Sequence, residues 1–292
     1  MCIRDRYTFS SIVVFIGLAT LLHLQFGVTG MVNFGVVGFF GLGMYSFGVF
    51  LIQYQIPYVI SMLLATGLTG VVALGLGKII LDLDSQSILV ATLAIATVVE
   101  DLATTEKWLT KGVIGLGTVP FPFNLGPYSQ AAYFLLSLVL TVLIVLYASK
   151  LESAPYGRLL MSIRDNEPLA QSLGKSTSRQ KLYFFAITSS LMGLFGTLHA
   201  SNVHFLVPRM LGPGVTFTVW IALILGGRKR ILGGLVGTLA TIGLFDFVIE
   251  TFVPIPASAQ SQLMPVIKLW IYGLALMLIL MYRPSGILGE KK

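Results

Sequence analysis

The residues of this chain able to do polar chemistry gather in one stretch, Lys150 to Lys181, which reads KLESAPYGRLLMSIRDNEPLAQSLGKSTSRQK. It carries six bases (Lys150, Arg158, Arg164, Lys175, Arg179, Lys181) against three acids (Glu152, Asp165, Glu167), between two hydrophobic runs long enough to cross a bilayer. A Lys/Arg excess in a short loop marks the cytoplasmic side of a membrane protein. The stretch is therefore where the chain meets something outside the membrane. After Pro155 the pattern predicts a short helix, a break at Asn166, Glu167 and Pro168, a second short amphipathic helix and a stop at Gly174. That shape suits docking to a protein, and equally suits lying on lipid headgroups.

Elsewhere the polar residues offer little chemistry. Asp246 and Glu250 share a helix face at i, i+4 and Lys268 enters the next span from the same side, an arrangement expected to form a structural salt bridge near the outer interface. Glu100 ends a span, and no carboxylate sits at the midplane, where a proton- or sodium-coupled carrier would hold one. His23 reads as a packing and hydrogen-bonding residue. With His199 and His204 it is too dispersed to suggest a metal site, and Cys2, the one cysteine, excludes an internal disulfide. A membrane-embedded enzyme would need a cluster of His, Asp or Glu at depth, which the pattern lacks. No GxxxxGK[ST] motif occurs, so the chain does not itself hydrolyse ATP and is not read as an enzyme. Asn33 stands apart: an amide at membrane depth faces a partner or a cavity rather than lipid.

The elements that must position these residues follow from composition. Of 292 residues, 55% are hydrophobic and only 11% charged, and the mean hydropathy is +0.88. These values describe an all-α, polytopic transmembrane helical bundle. The net charge of +7 belongs to basic loops and not to a nucleic-acid surface. A helix needs about 20 apolar residues to cross the hydrocarbon. Nine candidates meet or approach that, three of them short: Tyr7 to Val28, Val36 to Ile52, Tyr58 to Leu76, Ser87 to Glu100, Ala131 to Ser149, Leu182 to Ala200, Val215 to Leu225, Ile231 to Phe252 and Met264 to Met281. Counting crossings outward from 150–181 puts Arg228, Lys229, Arg230 and the tail bases Arg283, Lys291 and Lys292 on that same side. The count also starts Tyr7 outside, which suggests a missing first helix, hence ten spans in an untruncated chain. Residues 1–6 then read as a non-native leader and 7–292 as one transmembrane domain.

Two glycine-rich stretches, Gly27 to Gly48 and Leu225 to Gly237, fall one in each half. Glycines in membrane helices allow close packing. Paired across two related halves, they also suit discontinuous helices lining a path.

The run Gly157 to Ala200 (GRLLMSIRDNEPLAQSLGKSTSRQKLYFFAITSSLMGLFGTLHA) closely resembles the coupling loop and following helix of branched-chain amino acid ABC importer permeases. LQFGVTGMVNFGVVGFFGLGMY (Leu24 to Tyr45) is similar to the glycine-rich early helix of that family, WLTKGVIGLG (Trp108 to Gly117) to its external loop, and YRPSGILG (Tyr282 to Gly289) to its terminal signature. The resemblance implies a multi-pass permease of a bacterial or archaeal cytoplasmic membrane, working with two cytoplasmic ATPases, a second permease of the same family and an external solute-binding protein. It implies no cofactor in this chain, ATP and magnesium being held by the ATPases. It assigns the coupling surface to Gly157, Arg158, Arg164, Asp165, Asn166, Glu167, Ala170, Leu173 and Gly174, and a path to Asn33, Gly35, Gly41, Gly226 and Gly227. The cargo it implies is branched-chain amino acids or a related solute such as another amino acid, urea or an amide. The class outside this resemblance is an ATP-independent secondary carrier. The chain departs from the family pattern at Val36, Thr97 and residues 228–230, positions that bear on cargo and path and not on the coupling loop.

Overall fold

The computed structural model describes residues 3–123, 125–227 and 231–245, with scattered positions between 263 and 286. The helices are α1 (Ile3–His23), α2 (Val36–Gly48), α3 (Tyr58–Ile80), α4 (Ser85–Thr105), α5 (Lys107–Thr110), α6 (Ser129–Ser153), α7 (Pro155–Asp165), α8 (Glu167–Ser172), α9 (Thr177–Val203), α10 (Gly214–Gly226) and α11 (Ile231–Thr238). Wider π-type turns extend α1 to Val28 and α2 to Gln53. Among the described residues seven helical segments are long and apolar enough to cross a membrane. They correspond to the first seven expected spans. The fourth is longer than its apolar run because Asp84 caps it, accepting from the amides of Gln86 and Ser87, and because helix continues through Glu100 and Asp101 to Thr105. The seventh gains length from a 3-10 turn at Pro208–Leu211. The eighth is described only as far as Phe245, while the ninth, the Asp246/Glu250/Lys268 pairing and the basic residues 228–230, 283, 291 and 292 lie outside the described residues.

Burial divides the helices into two shells. Of the spans built on α1, α2 and α9, between 61% and 72% is buried, whereas only 22% is buried in those of α3, α4 and α6. The latter turn aliphatic side chains such as Leu63, Val71, Val90 and Leu135 outward, as lipid-facing helices do. In lipid no hydrophobic force drives helices together, so close approach through small residues must do it. A Cβ on Gly43 would strike the backbone of Gly193, and one on Gly196 the carbonyl of Phe40, which is why α2 and α9 cross in close contact. Interhelical hydrogen bonds add to this: Tyr133 OH donates to the Leu198 carbonyl (2.8 Å), Thr141 Oγ1 to that of Val13 (3.0 Å) and Ser190 Oγ to that of Thr66 (2.8 Å).

The two ends of the bundle separate cleanly. At one, the turn after α1, the α3–α4 turn and α7–α8 meet around a polar cavity of about 480 Å³ lined by Thr29, Gly30, Asp82, Asp84, Glu167 and Lys181. At the other, the segment after α5 pairs with the chain after α9: Leu116 and Leu206 exchange backbone hydrogen bonds (2.9 and 3.2 Å), and the Val119 amide donates to the His204 carbonyl (2.7 Å). The described loops therefore alternate in side as the crossing count expects.

Candidate functional site

The stretch 155–174 folds as its sequence predicts. Pro155 opens α7, which ends at Asp165; Asn166, with extended backbone, caps α8 by accepting from the Leu169 amide (3.1 Å) through its side chain. Gly174 closes the unit at φ 77°, a left-handed conformation costly to any residue with a Cβ. Leu160, Ile163 and Ala170 face inward, as does Gly157, whose missing Cβ admits the carbonyl of Leu151. Arg158, Asp165, Asn166, Leu173 and Gly174 are exposed. Leu169, which the sequence reading did not single out, is 56% exposed, and Leu173 is 71% exposed. These two exposed leucines, one turn apart at the end of α8, form a small apolar ridge.

Three links tie this unit to the membrane helices. Arg164 donates from one guanidinium nitrogen to the carbonyl of Gly27, in the turn that ends the first span, and from Nε to Asp165 (2.9 Å). Glu152, in the last turn of α6, meets His23 Nε2 at 2.7 Å; His23 is almost wholly buried, and its Nδ1 has no partner. Glu167 pairs with Lys181 near the start of α9. Arg164, Glu152 and the turn they hold line a cavity of about 670 Å³ with Phe26, Val28, Gly30 and Met161.

Beyond this turn the chain runs without helix from Thr29 to Gly35, and there Asn33 has its partner. Its Nδ2 donates to Gln25 Oε1 (2.8 Å), and Gln25 Nε2 donates to Thr188 Oγ1 (2.7 Å) and Ser189 Oγ (3.2 Å) on α9. Asn33 Oδ1 accepts from the Gly35 amide (2.7 Å), and its carbonyl accepts from Trp220 Nε1 (3.0 Å) on α10. Phe34 stacks on Trp220 at 4.8 Å between ring centroids, while the Phe34 and Val37 amides donate to Thr92 (3.0 Å) and Thr216 (3.2 Å). A helix break deep in the protein leaves backbone donors that must be satisfied there. Here side chains of α4 and α10 and the amide of Asn33 satisfy them, while Gln25 ties the break to α9, so that five spans meet at one point. Gln25 and Asn33 have no exposed surface.

The glycines assigned to a path lie in contacts. A Cβ on Gly35 would come 2.6 Å from the Thr92 carbonyl oxygen, and one on Gly41 would strike Leu211. Gly226 meets Gly233 and Gly237 where α11 packs against α10, and Gly227 ends α10 at φ 110°. Gln25 and Glu152 are the residues that sequence reasoning missed. Their partners lie 163 and 129 positions away, beyond the reach of local pattern.

The chain is similar to the high-affinity branched-chain amino acid transport system permease protein LivM of Salmonella typhimurium and to that of Escherichia coli, in each case 25% identical over 248 residues, covering 76% of this chain and 58% of the relative. It is also similar to the autoinducer 2 import system permease protein LsrC of Photorhabdus laumondii, 32% identical over 109 residues, covering 37% of this chain and 32% of that protein. The chain thus spans little more than half the length of the LivM relatives it matches. Residues 5–282 match the family described as the branched-chain amino acid transport system, permease component, and the chain belongs to that family of multi-pass membrane permeases.

Proposed function

We propose that this chain is the membrane subunit of an ATP-driven ABC importer that carries branched-chain amino acids or related small polar solutes inward across the cytoplasmic membrane. The observation that carries this reading is the α7–α8 unit: an exposed apolar ridge, Leu169 and Leu173, on a base linked to the broken end of the first span. Lys78, Lys150, Arg158, Arg164, Lys175, Arg179 and Lys181 cluster at that end, against Lys107, Lys111 and Arg209 at the other, which supports placing it in the cytoplasm.

In this reading two ATPases bind ATP and magnesium, and their closure displaces α7–α8. Arg164 carries the displacement to the Gly27 carbonyl, and Glu152 carries it to His23. Gln25 lies between these two positions, so movement of the turn resets the Gln25–Asn33 amides and loosens the Trp220 contact to α10. The two sets of helices then rock apart along Asn33, Gly35 and Gly41, with Gly226 and Gly227 bordering the second set. A second permease of the family completes the path, and an external binding protein delivers the solute. The relatives, permeases of branched-chain amino acid and autoinducer 2 import systems, support a small polar cargo. A secondary carrier is disfavoured because, among the described residues, Asp82, Asp84, Glu100, Asp101, Glu106, Glu152, Asp165 and Glu167 all lie toward helix ends or in loops.

Reconstitution tests the reading. Proteoliposomes holding the chain with its ATPases and second permease should accumulate leucine only with ATP at the ATPase face and binding protein opposite. Accumulation by the chain alone under a proton or sodium gradient would replace it with the secondary carrier.

A further inference from the structure

A groove of about 350 Å³ runs between α3 and α9 on the outer surface of the bundle. Gly67, Gly70 and Leu74 of α3 face Ala186, Ile187 and Leu191 of α9 across it. The register of the two helices is fixed by close approaches: a Cβ on Gly70 would press on Ser190, and one on Gly77 on Leu182. A Cβ on Gly67, by contrast, would meet nothing within 4 Å, so the groove there is left unfilled by the described residues. Ser190 in its wall already donates to the Thr66 carbonyl (2.8 Å), which leaves hydrocarbon as the surface on offer. At the end that carries α7–α8, both walls run on to a base. On α3 the row Gly67, Val71, Leu74 continues at helical spacing to Lys78, and on α9 the row Ile187, Tyr183 continues back to Arg179. Lys78 and Arg179 are exposed, and among the described residues neither forms an ion pair. Asp82, one turn beyond Lys78, lines the polar cavity with Glu167 and Lys181. Tyr183, exposed between groove and base, is the kind of aromatic that sits at headgroup level.

We propose that this groove holds one acyl chain of an anionic phospholipid of the cytoplasmic leaflet, with the headgroup phosphate between Lys78 and Arg179. The dimensions fit a lipid of one leaflet. From Gly67 to Lys78 the helix rises about 16 Å, half of the roughly 30 Å hydrocarbon core. A chain anchored at the bases therefore ends near the bilayer midplane, beside the space that Gly67 leaves open. Charge selects the headgroup: two bases without acidic partners at the cytoplasmic end of a groove between membrane helices favour a net negative lipid over a zwitterionic one. The assignment to the cytoplasmic leaflet rests on the orientation proposed above, but the site lies apart from the leucine ridge on α8.

The test is native mass spectrometry of the assembled complex released from nanodiscs of equal parts phosphatidylglycerol and phosphatidylcholine with matched palmitoyl chains. Phosphatidylglycerol should be retained in preference. Lys78→Gln and Arg179→Gln should each lower its retention relative to phosphatidylcholine about fivefold, the increment expected of one base at a membrane surface. Gly67→Leu, which puts a side chain into the open end of the groove, should weaken retention of both lipids and leave the headgroup preference intact. Each variant should stay monodisperse with an unchanged Tm. Equal retention of the two lipids by the unaltered complex, or a preference that survives in the Lys78→Gln/Arg179→Gln double variant, would overturn the site. A photo-crosslinker on Gly67→Cys, in a Cys2→Ser background, that captures the second permease and no lipid would give the groove to protein and overturn it as well. Leucine accumulation is read on the same complexes. Absence of the preference in a complex that accumulates leucine with ATP would sink this site alone, whereas a preference kept by a complex that accumulates none would uphold the site and bring down the transport reading.

Discussion

Replacing Gln25 with leucine removes the residue that joins the helix break to α9. Three hydrogen bonds go: the one accepted from Asn33 and the two donated to Thr188 and Ser189. Thr188 remains satisfied, since its hydroxyl also donates to the Phe184 carbonyl (2.7 Å). Asn33 Nδ2 is left stranded in a residue with no exposed surface. A buried amide without a partner costs about 1–3 kcal/mol, whereas side-chain hydrogen bonds within membrane proteins average only about 0.6 kcal/mol each. Taken together, and offset in part by the added alkyl burial, the loss is about 2 kcal/mol. For a protein of 292 residues that lowers Tm by about 3 °C, readable from thermal unfolding of the purified chain in detergent. Asn33→Ala should be less than additive with Gln25→Leu, because each removes the same bond. An unchanged or raised Tm in Gln25→Leu, or strict additivity of the pair, would refute the network as the feature holding the break.

Four further outcomes follow from other contacts. Arg164→Gln should leave the ATPases bound but lower solute uptake per ATP hydrolysed by about 5- to 150-fold, the range of ordinary coupling free energies; tightly coupled uptake in that variant would rule out the Gly27 link as a transmission element. Gly196→Val drives a side chain into the Phe40 carbonyl and should cost about 1–3 kcal/mol of stability by overpacking, visible as a lower Tm. Asn166→Ala removes the cap of α8 at a cost of about 1 kcal/mol, so amide exchange at Leu169 should quicken about fivefold while exchange in α9 is unchanged. Asp84 is held below the ordinary carboxylate range by the Ser87 hydroxyl and by backbone amides. Its cap contribution is therefore fully present above the unfolded-chain pKa and is lost as pH falls through the lower folded value, a course that amide exchange at Gln86 and Ser87 against pH would follow.

The helices and turns of the α7–α8 unit were legible in the sequence because their determinants are local. Pro155, the Asn166 cap and Gly174 act within a few residues of where they stand, and the apolar positions of α7 repeat with helical period. The first seven spans were legible for the same reason, length and apolarity being properties of a window. What stayed hidden depends on contacts between distant segments. Asn33 could be read as needing a partner, but nothing near it in sequence identified Thr188 and Ser189 as the anchors behind Gln25. His23 could be read as a hydrogen-bonding residue without Glu152 being known as its partner. The glycine-rich stretches admit packing and path readings alike from sequence. In the structure Gly43 and Gly193, Gly196 and Phe40, and Gly226 and Gly233 meet directly, which supports close packing at those positions. Glu167, which charge alone makes an obvious probe of docking, is engaged by Lys181 within the chain. Reversing its charge would disturb that pair as well as any partner, so the exposed leucines are the cleaner probe.

The central claim, that α7–α8 is where an ATPase takes hold, is tested most directly by copurification. The chain, tagged at its C-terminus, is co-expressed with the genes beside it and compared with Leu173→Asp, a substitution on a side chain that is 71% exposed. A P-loop ATPase that copurifies with the unaltered chain, and is lost from a variant that stays monodisperse with an unchanged Tm, is the predicted result. Retention of the ATPase by Leu173→Asp and by Leu169→Asp alike, or a folded chain that recruits no ATPase at all, would contradict it.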